Sequence, residues 1–175
     1  LVFNAATTWW IWNSTPAGAV FAITVNALLM TLPFFLWFDT RKYFTGNVKP
    51  VALIVYYLTF EFLHYHWQLA WPWLSLGNVF GNAPYLVQWY EYTGTSGGSL
   101  WILFVNWLVY QSILKAPEHM AFAQKRLSPE QSRWYAALAG SVKPVAAIGL
   151  PIIISLIIFN TYTPTGEARQ VTIIQ

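Results

Sequence analysis

Glu61, His64 and Gln68 recur at i, i+3 and i+7 inside an otherwise apolar run, a spacing that places all three on one face of a helix. A carboxylate and an imidazole are expensive in apolar surroundings, so their presence points to function by default. An E-x-x-H pair on one helix can also ligate a metal. A metal needs further ligands, however, and the other acids (Asp39, Glu91, Glu118, Glu130 and Glu167) are scattered along the chain. Haem would need a second axial histidine, and His119 falls in a separate, charged segment. These residues favour a hydrogen-bonded polar face packed between helices, with no metal site and no cofactor. The chain has no cysteine, so thiolate ligands, disulfides and a cysteine nucleophile are excluded from these 175 residues. No Ser–His–acid or paired-carboxylate pattern emerges.

A second set of reactive side chains lies in Gln88-Trp89-Tyr90-Glu91-Tyr92, where one carboxylate is flanked by two phenols. Two readings stand side by side. Glu91 and the tyrosines could hydrogen-bond a lipid headgroup amine or a peptide, or the segment could be an interfacial aromatic belt with Glu91 capping a helix or simply solvated. The segment belongs to a longer stretch, Trp71 to Trp101, which also carries Trp73, Tyr85, Pro72, Pro84 and several glycines but no Lys or Arg. Tryptophan and tyrosine collect at headgroup level because the ring is apolar while its N–H or O–H seeks water. Glycine and proline make turns and let backbones approach closely. The stretch therefore reads as an aromatic shelf at the lipid surface. Its Gly94 to Gly98 run lacks the lysine of a phosphate loop and reads as a turn.

The elements that must carry this shelf are membrane spans. The residues are 57% hydrophobic, 19% aromatic and 9% charged, against about 25% charged in a soluble domain. Four spans are expected, at about 17–38, 50–71, 98–114 and 144–162, each close to the ~20 apolar residues that cross a bilayer. Asn26 and Pro33 interrupt the first span, and Pro151 should bend the last. The polar connection 117–143 reads as two short amphipathic pieces. Ser128-Pro129-Glu130-Gln131 signals a helix start with a capping box, and that helix should close at Gly140. Arg41, Lys42 and Lys49 lie between the first two spans, and Lys115, Lys125, Arg126, Arg133 and Lys143 between the last two. All basic residues but Arg169 thus share one face, which the positive-inside rule makes cytoplasmic. The segment Thr7 to Thr15, the aromatic shelf and the C-terminus then face outward. The basic segments need no nucleic acid to explain them, because topology and anionic lipid suffice.

Four segments, NAATTWWIWNST, PWLSLGNVFGN, VQWYEYTGTSGGSLWILFVN and RQVTIIQ, resemble the apolipoprotein N-acyltransferase family, particularly its Bacteroidetes-like branch, and they keep the family's order. The resemblance implies an all-α membrane bundle (residues 1–162) with an aromatic periplasmic loop. It also implies that 163–175 open a nitrilase-like α/β domain, with VTIIQ as its first strand and the rest of that domain absent. The implied reaction moves an acyl chain from a membrane phospholipid, by way of a cysteine of a Glu–Lys–Cys triad, to the N-terminal diacylglyceryl-cysteine of a lipoprotein. None of that triad can be assigned here, so the fragment is expected to be inactive alone. The implied location is the bacterial inner membrane, the implied partners are the phospholipid and the diacylglyceryl-modified apolipoprotein, and the implied state is a monomer. Trp73, within the family's Pro-Trp motif, is the first expected acyl-chain or headgroup contact. Trp71, Trp89, Tyr90, Glu91 and Tyr92 come second, and Glu61, His64 and Gln68 would brace the shelf from below. The rival readings are a transporter or channel module, which would line a path with polar residues across two or more spans, and a structural membrane subunit.

Overall fold

The computed structural model describes residues 1–68 and 70–163, whose regular elements are all helices, with no strand among them. The six α-helices are α1 (Val2–Thr8), α2 (Pro16–Leu29), α3 (Leu32–Thr40), α4 (Val48–Tyr65), α5 (Tyr90–Gln124) and α6 (Pro129–Thr161). The expected C-terminal strand lies outside the described residues. Among the described residues, three segments are long and apolar enough to cross a membrane: Pro16–Tyr43, Tyr90–Gln124 and Pro129–Thr161.

The first of these is α2 followed by α3. Pro16 opens α2 at a position where its missing N–H costs nothing, and the Thr15 hydroxyl accepts the Gly18 N–H at 3.3 Å. The helix breaks at Met30–Thr31 because Pro33 cannot donate to the Leu29 carbonyl. The Thr31 hydroxyl donates to the Leu28 carbonyl at 2.6 Å in the same turn.

The second expected span, 50–71, ends early. α4 stops at Tyr65, and His66, Trp67, Gln68, Ala70 and Trp71 lie outside it. Its 18 residues, Lys49, Glu61 and His64 among them, are not one of the three membrane-crossing candidates. Polar and bulky aromatic side chains crowd its last turns, where they favour contacts with neighbouring elements over a further helical turn. Gln68 therefore does not share a helix face with Glu61 and His64, contrary to the spacing argument.

The two remaining spans run longer than expected. α5 has 35 residues and α6 has 33, about 50 Å each against a hydrocarbon core of ~30 Å. The segment 117–143 is thus the joined ends of two long helices, not two separate amphipathic pieces. The capping box at Ser128 and Gln131 forms as the sequence indicates, with Ser128 Oγ accepting the Gln131 N–H and Gln131 Oε1 accepting the Ser128 N–H. The helix it starts does not close at Gly140. It continues through Pro144 and Pro151 to Thr161, because a helix already packed on a neighbour tolerates a missing hydrogen bond. At the other end, Gly94 (φ 63) breaks the first turn of α5 away from the rest.

The burial pattern is inverted relative to a soluble domain. Asn4, Thr8, Asn26, Glu61, Ser99, Ser132 and Ser155 are buried, whereas Phe21, Phe35, Phe38, Leu150 and Ile157 are exposed. Small and polar groups hold the helices together while the large apolar ones meet lipid. Trp101 illustrates the device. Pro151 has no N–H for the Ala147 carbonyl, and Trp101 Nε1 on α5 donates to that carbonyl at 2.7 Å. Trp101→Phe should therefore lower stability by about 1–3 kcal/mol through an orphaned carbonyl. In a Pro151→Ala background, which restores the helix's own donor, the same substitution should cost markedly less. A double-mutant cycle on thermal unfolding in detergent checks this, and equal costs in both backgrounds would contradict it.

Candidate functional site

Between α4 and α5 the chain crosses the shelf in three short 3-10 turns, Pro72–Leu74, Leu76–Phe80 and Pro84–Leu86. Pro72 and Pro84 each open a turn. Such turns leave backbone donors unmatched, and near lipid each needs a partner. Three of them are met by buried side chains from three different helices. The Leu76 N–H donates to Glu61 Oε1 of α4 at 3.0 Å. The Gly77 N–H donates to Ser99 Oγ of α5 at 2.9 Å. The Gln88 N–H donates to Ser155 Oγ of α6. The shelf is thus anchored amide by amide to the bundle.

Close backbone approach makes this possible. Gly77 sits so near α5 that a Cβ there would lie 1.9 Å from the Thr95 carbonyl oxygen, and a Cβ on Gly98 would lie 2.9 Å from Gly77 Cα and 1.7 Å from the Tyr90 oxygen. The Tyr90 hydroxyl crosses this contact and donates to the Gly77 carbonyl at 2.9 Å. Phe80 stacks on Trp101 at 5.2 Å, and Trp89 meets Trp101 edge-on at 5.6 Å. Aromatic pairs of this geometry add to the burial of the rings.

Beneath the shelf lies a polar cluster joining α1, α2 and α4. Asn26 Nδ2 donates to Asn4 Oδ1 at 2.6 Å, and Asn26 Oδ1 lies 3.1 Å from His64 Nε2, which fixes the imidazole proton on that nitrogen. Asn4 Nδ2 in turn donates to Met30 Sδ at 3.4 Å. His64 stacks on Phe60 at 5.2 Å. Glu61 is 5% exposed, and its second oxygen, Oε2, makes no hydrogen bond among the described residues. The indole N–H of Trp71 is likewise buried without an acceptor, and both residues face one small void also lined by Tyr57 and Phe60.

The residues singled out from sequence divide into distinct environments. Glu61, His64 and Trp71 come together in the cluster under the shelf. Gln68 is exposed beyond the end of α4, at a groove shared with His64, Asn26 and Trp71. Trp73 is 66% exposed at the mouth of an open groove with Gly77, Phe80, Pro84 and Tyr90. Trp89 instead lines a wholly apolar groove between α5 and α6, with Leu100, Trp101, Phe104, Pro151 and Ile154. Tyr90 is committed to the Gly77 carbonyl. Glu91 is exposed in the first turn of α5, where a negative charge complements the helix dipole, and Tyr92 is 79% exposed. Asn4, Ser99 and Ser155 escaped the sequence reading. For Asn4 and Ser155 the signal was a lone polar residue in an apolar run, which Asn26 shared, whereas Ser99 sits in the glycine-rich run before Leu100.

A helical membrane protein that fixes an aromatic shelf against its bundle is the class these features define. The chain belongs to the apolipoprotein N-acyltransferase family, for residues 1–108 match the model of the apolipoprotein N-acyltransferase N-terminal domain, shelf included. It is also similar to a protein of Chlorobaculum tepidum named apolipoprotein N-acyltransferase, with 27% identity over 109 residues, 62% of this chain and 20% of the relative. The matched region thus spans about a fifth of that relative's length. No solved structure matches the chain.

The glycine contact generates a direct test. Gly98→Ala should lower stability by about 2 kcal/mol, because the added methyl would overlap Tyr90 and Gly77. Gly149→Ala, where nothing lies within 4 Å, should be neutral or stabilising by up to ~1 kcal/mol. Thermal unfolding in detergent compares the two, and similar behaviour of both variants would refute the crossing.

Proposed function

We propose that this chain is the membrane portion of an enzyme that moves an acyl chain from a phospholipid to the α-amine of a diacylglyceryl-cysteine at a lipoprotein's N-terminus. The observation that carries the reading is the family match across residues 1–108, which takes in the whole shelf. Both substrates are lipid-anchored, so the reacting groups must meet at bilayer height. In this reading the shelf is the floor of a lateral opening on the outer face of the bacterial inner membrane, opposite the basic residues. The chain supplies no cysteine, and the acyl-carrying thiolate with its glutamate and lysine partners belongs to a nitrilase-like domain encoded beyond these residues.

Two grooves support a division of labour. The apolar groove of about 470 Å³ beside Trp89, Leu100 and Phe104 suits an acyl chain. The groove under Trp73, with the polar Asn78, Asn82 and Thr95 on its walls, suits a headgroup or the glyceryl-cysteine. Glu61 acts through the shelf amide it holds, and His64 through its bond to Asn26 in the cluster beneath, not on substrate. A channel reading draws less support, since Asn4, Asn26 and His64 are spent on one another.

In the full-length enzyme, Trp73→Ala should reduce kcat/KM for acyl transfer about tenfold while shifting the unfolding midpoint little, as befits an exposed side chain. An unchanged kcat/KM would remove Trp73 from the substrate path. Residues 1–175 alone should show no acyl transfer from phosphatidylethanolamine to a diacylated peptide, and measurable turnover would mean that the catalytic residues lie within them.

A further inference from the structure

At the end of the α5–α6 pair remote from the shelf, roughly 35 Å along α5 from Tyr90, the two helices part around a cavity of about 250 Å³. Four residues at four-residue spacing on α5, Trp107, Gln111, Lys115 and His119, form one wall. Lys143 closes it from α6, and Asn47 reaches it from the turn before α4. Space for the cavity comes from small residues, since Gly140 faces Ser112 with room for a Cβ at ordinary contact distance.

The chemistry of this lining is one-sided. Every charged or amide side chain named can donate hydrogen bonds, and no carboxylate lines the cavity. The ion pair found among the described residues is Lys42 with Asp39, so neither Lys115 nor Lys143 has a carboxylate within 4.0 Å there. Two ammonium groups around one cavity, with no carboxylate on its walls to neutralise them, call for an anion.

Position selects the anion's source. The apolar run of α5 ends at Lys115, and that of α6 begins just after Lys143 at Pro144. Both lysines therefore stand where the helices leave the hydrocarbon, at headgroup level. We propose that this cavity binds the phosphate headgroup of an anionic phospholipid from the leaflet on the basic side. The site is independent of the acyl-transfer reading and lies at the opposite end of the bundle from the shelf.

The test uses the intact protein in detergent micelles, with bound lipid read by native mass spectrometry during titration with phosphatidylglycerol or phosphatidylcholine. Phosphatidylglycerol should be retained preferentially. Lys115→Gln with Lys143→Gln should weaken its retention about tenfold, whereas Arg41→Gln with Lys42→Gln, removing equal charge elsewhere on the same face, should leave it unchanged. Lys115→Arg with Lys143→Arg should keep binding, which separates loss of charge from loss of fold. Equal losses in the two glutamine pairs would reduce the effect to diffuse surface charge and overturn the proposal. So would displacement of phosphatidylglycerol by millimolar inorganic phosphate, which would make the site one for free phosphate.

Discussion

Within a bilayer no water is at hand to satisfy a stray backbone N–H, and this constraint organises the molecule more than any single contact. The shelf is the part most at odds with it, since 3-10 turns expose amides that a helix would conceal. Glu61, Ser99 and Ser155 resolve the conflict by each taking one shelf amide. Because these three side chains come from α4, α5 and α6, the shelf also ties those helices to one another. Burying the Glu61 carboxyl is costly, and the position is sustained by its bond to the Leu76 amide and by the neighbouring Trp71 and Tyr57.

The same constraint explains the helix contacts. Large side chains gain nothing by leaving lipid for a protein interior that is equally apolar, so the interfaces are left to serine, glycine, alanine and asparagine. Where proline deprives a helix of a donor, a neighbour supplies one, as Trp101 does for the Ala147 carbonyl. The result is a rigid scaffold with its large aromatic groups either clamped, as Trp89 and Trp101 are, or left at the surface, as Trp73 is.

Much of this was legible in the residues. Hydropathy located the long apolar segments, and the Ser128 cap was read from four letters. Hydropathy could not show that α4 ends at Tyr65, since periodicity reports which face is polar and not whether the chain continues straight. Nor could it show that α6 passes through Gly140 and Pro144, because glycine and proline stop a helix only when no neighbour holds it. The partnership of Asn4, Asn26 and His64 was hidden for a further reason. It joins three elements distant in sequence, and only their packing brings those residues within hydrogen-bond reach.

The shelf is fixed to the bundle through its own amides, and hydrogen exchange measures that property most directly. In the detergent-solubilised protein, the amides of Leu76, Gly77 and Gln88 should exchange far more slowly than those of an open loop. In Ser99→Ala the Gly77 amide should lose its protection while that of Gln88 keeps it. Exchange of all three at open-loop rates in the unaltered protein would contradict the account.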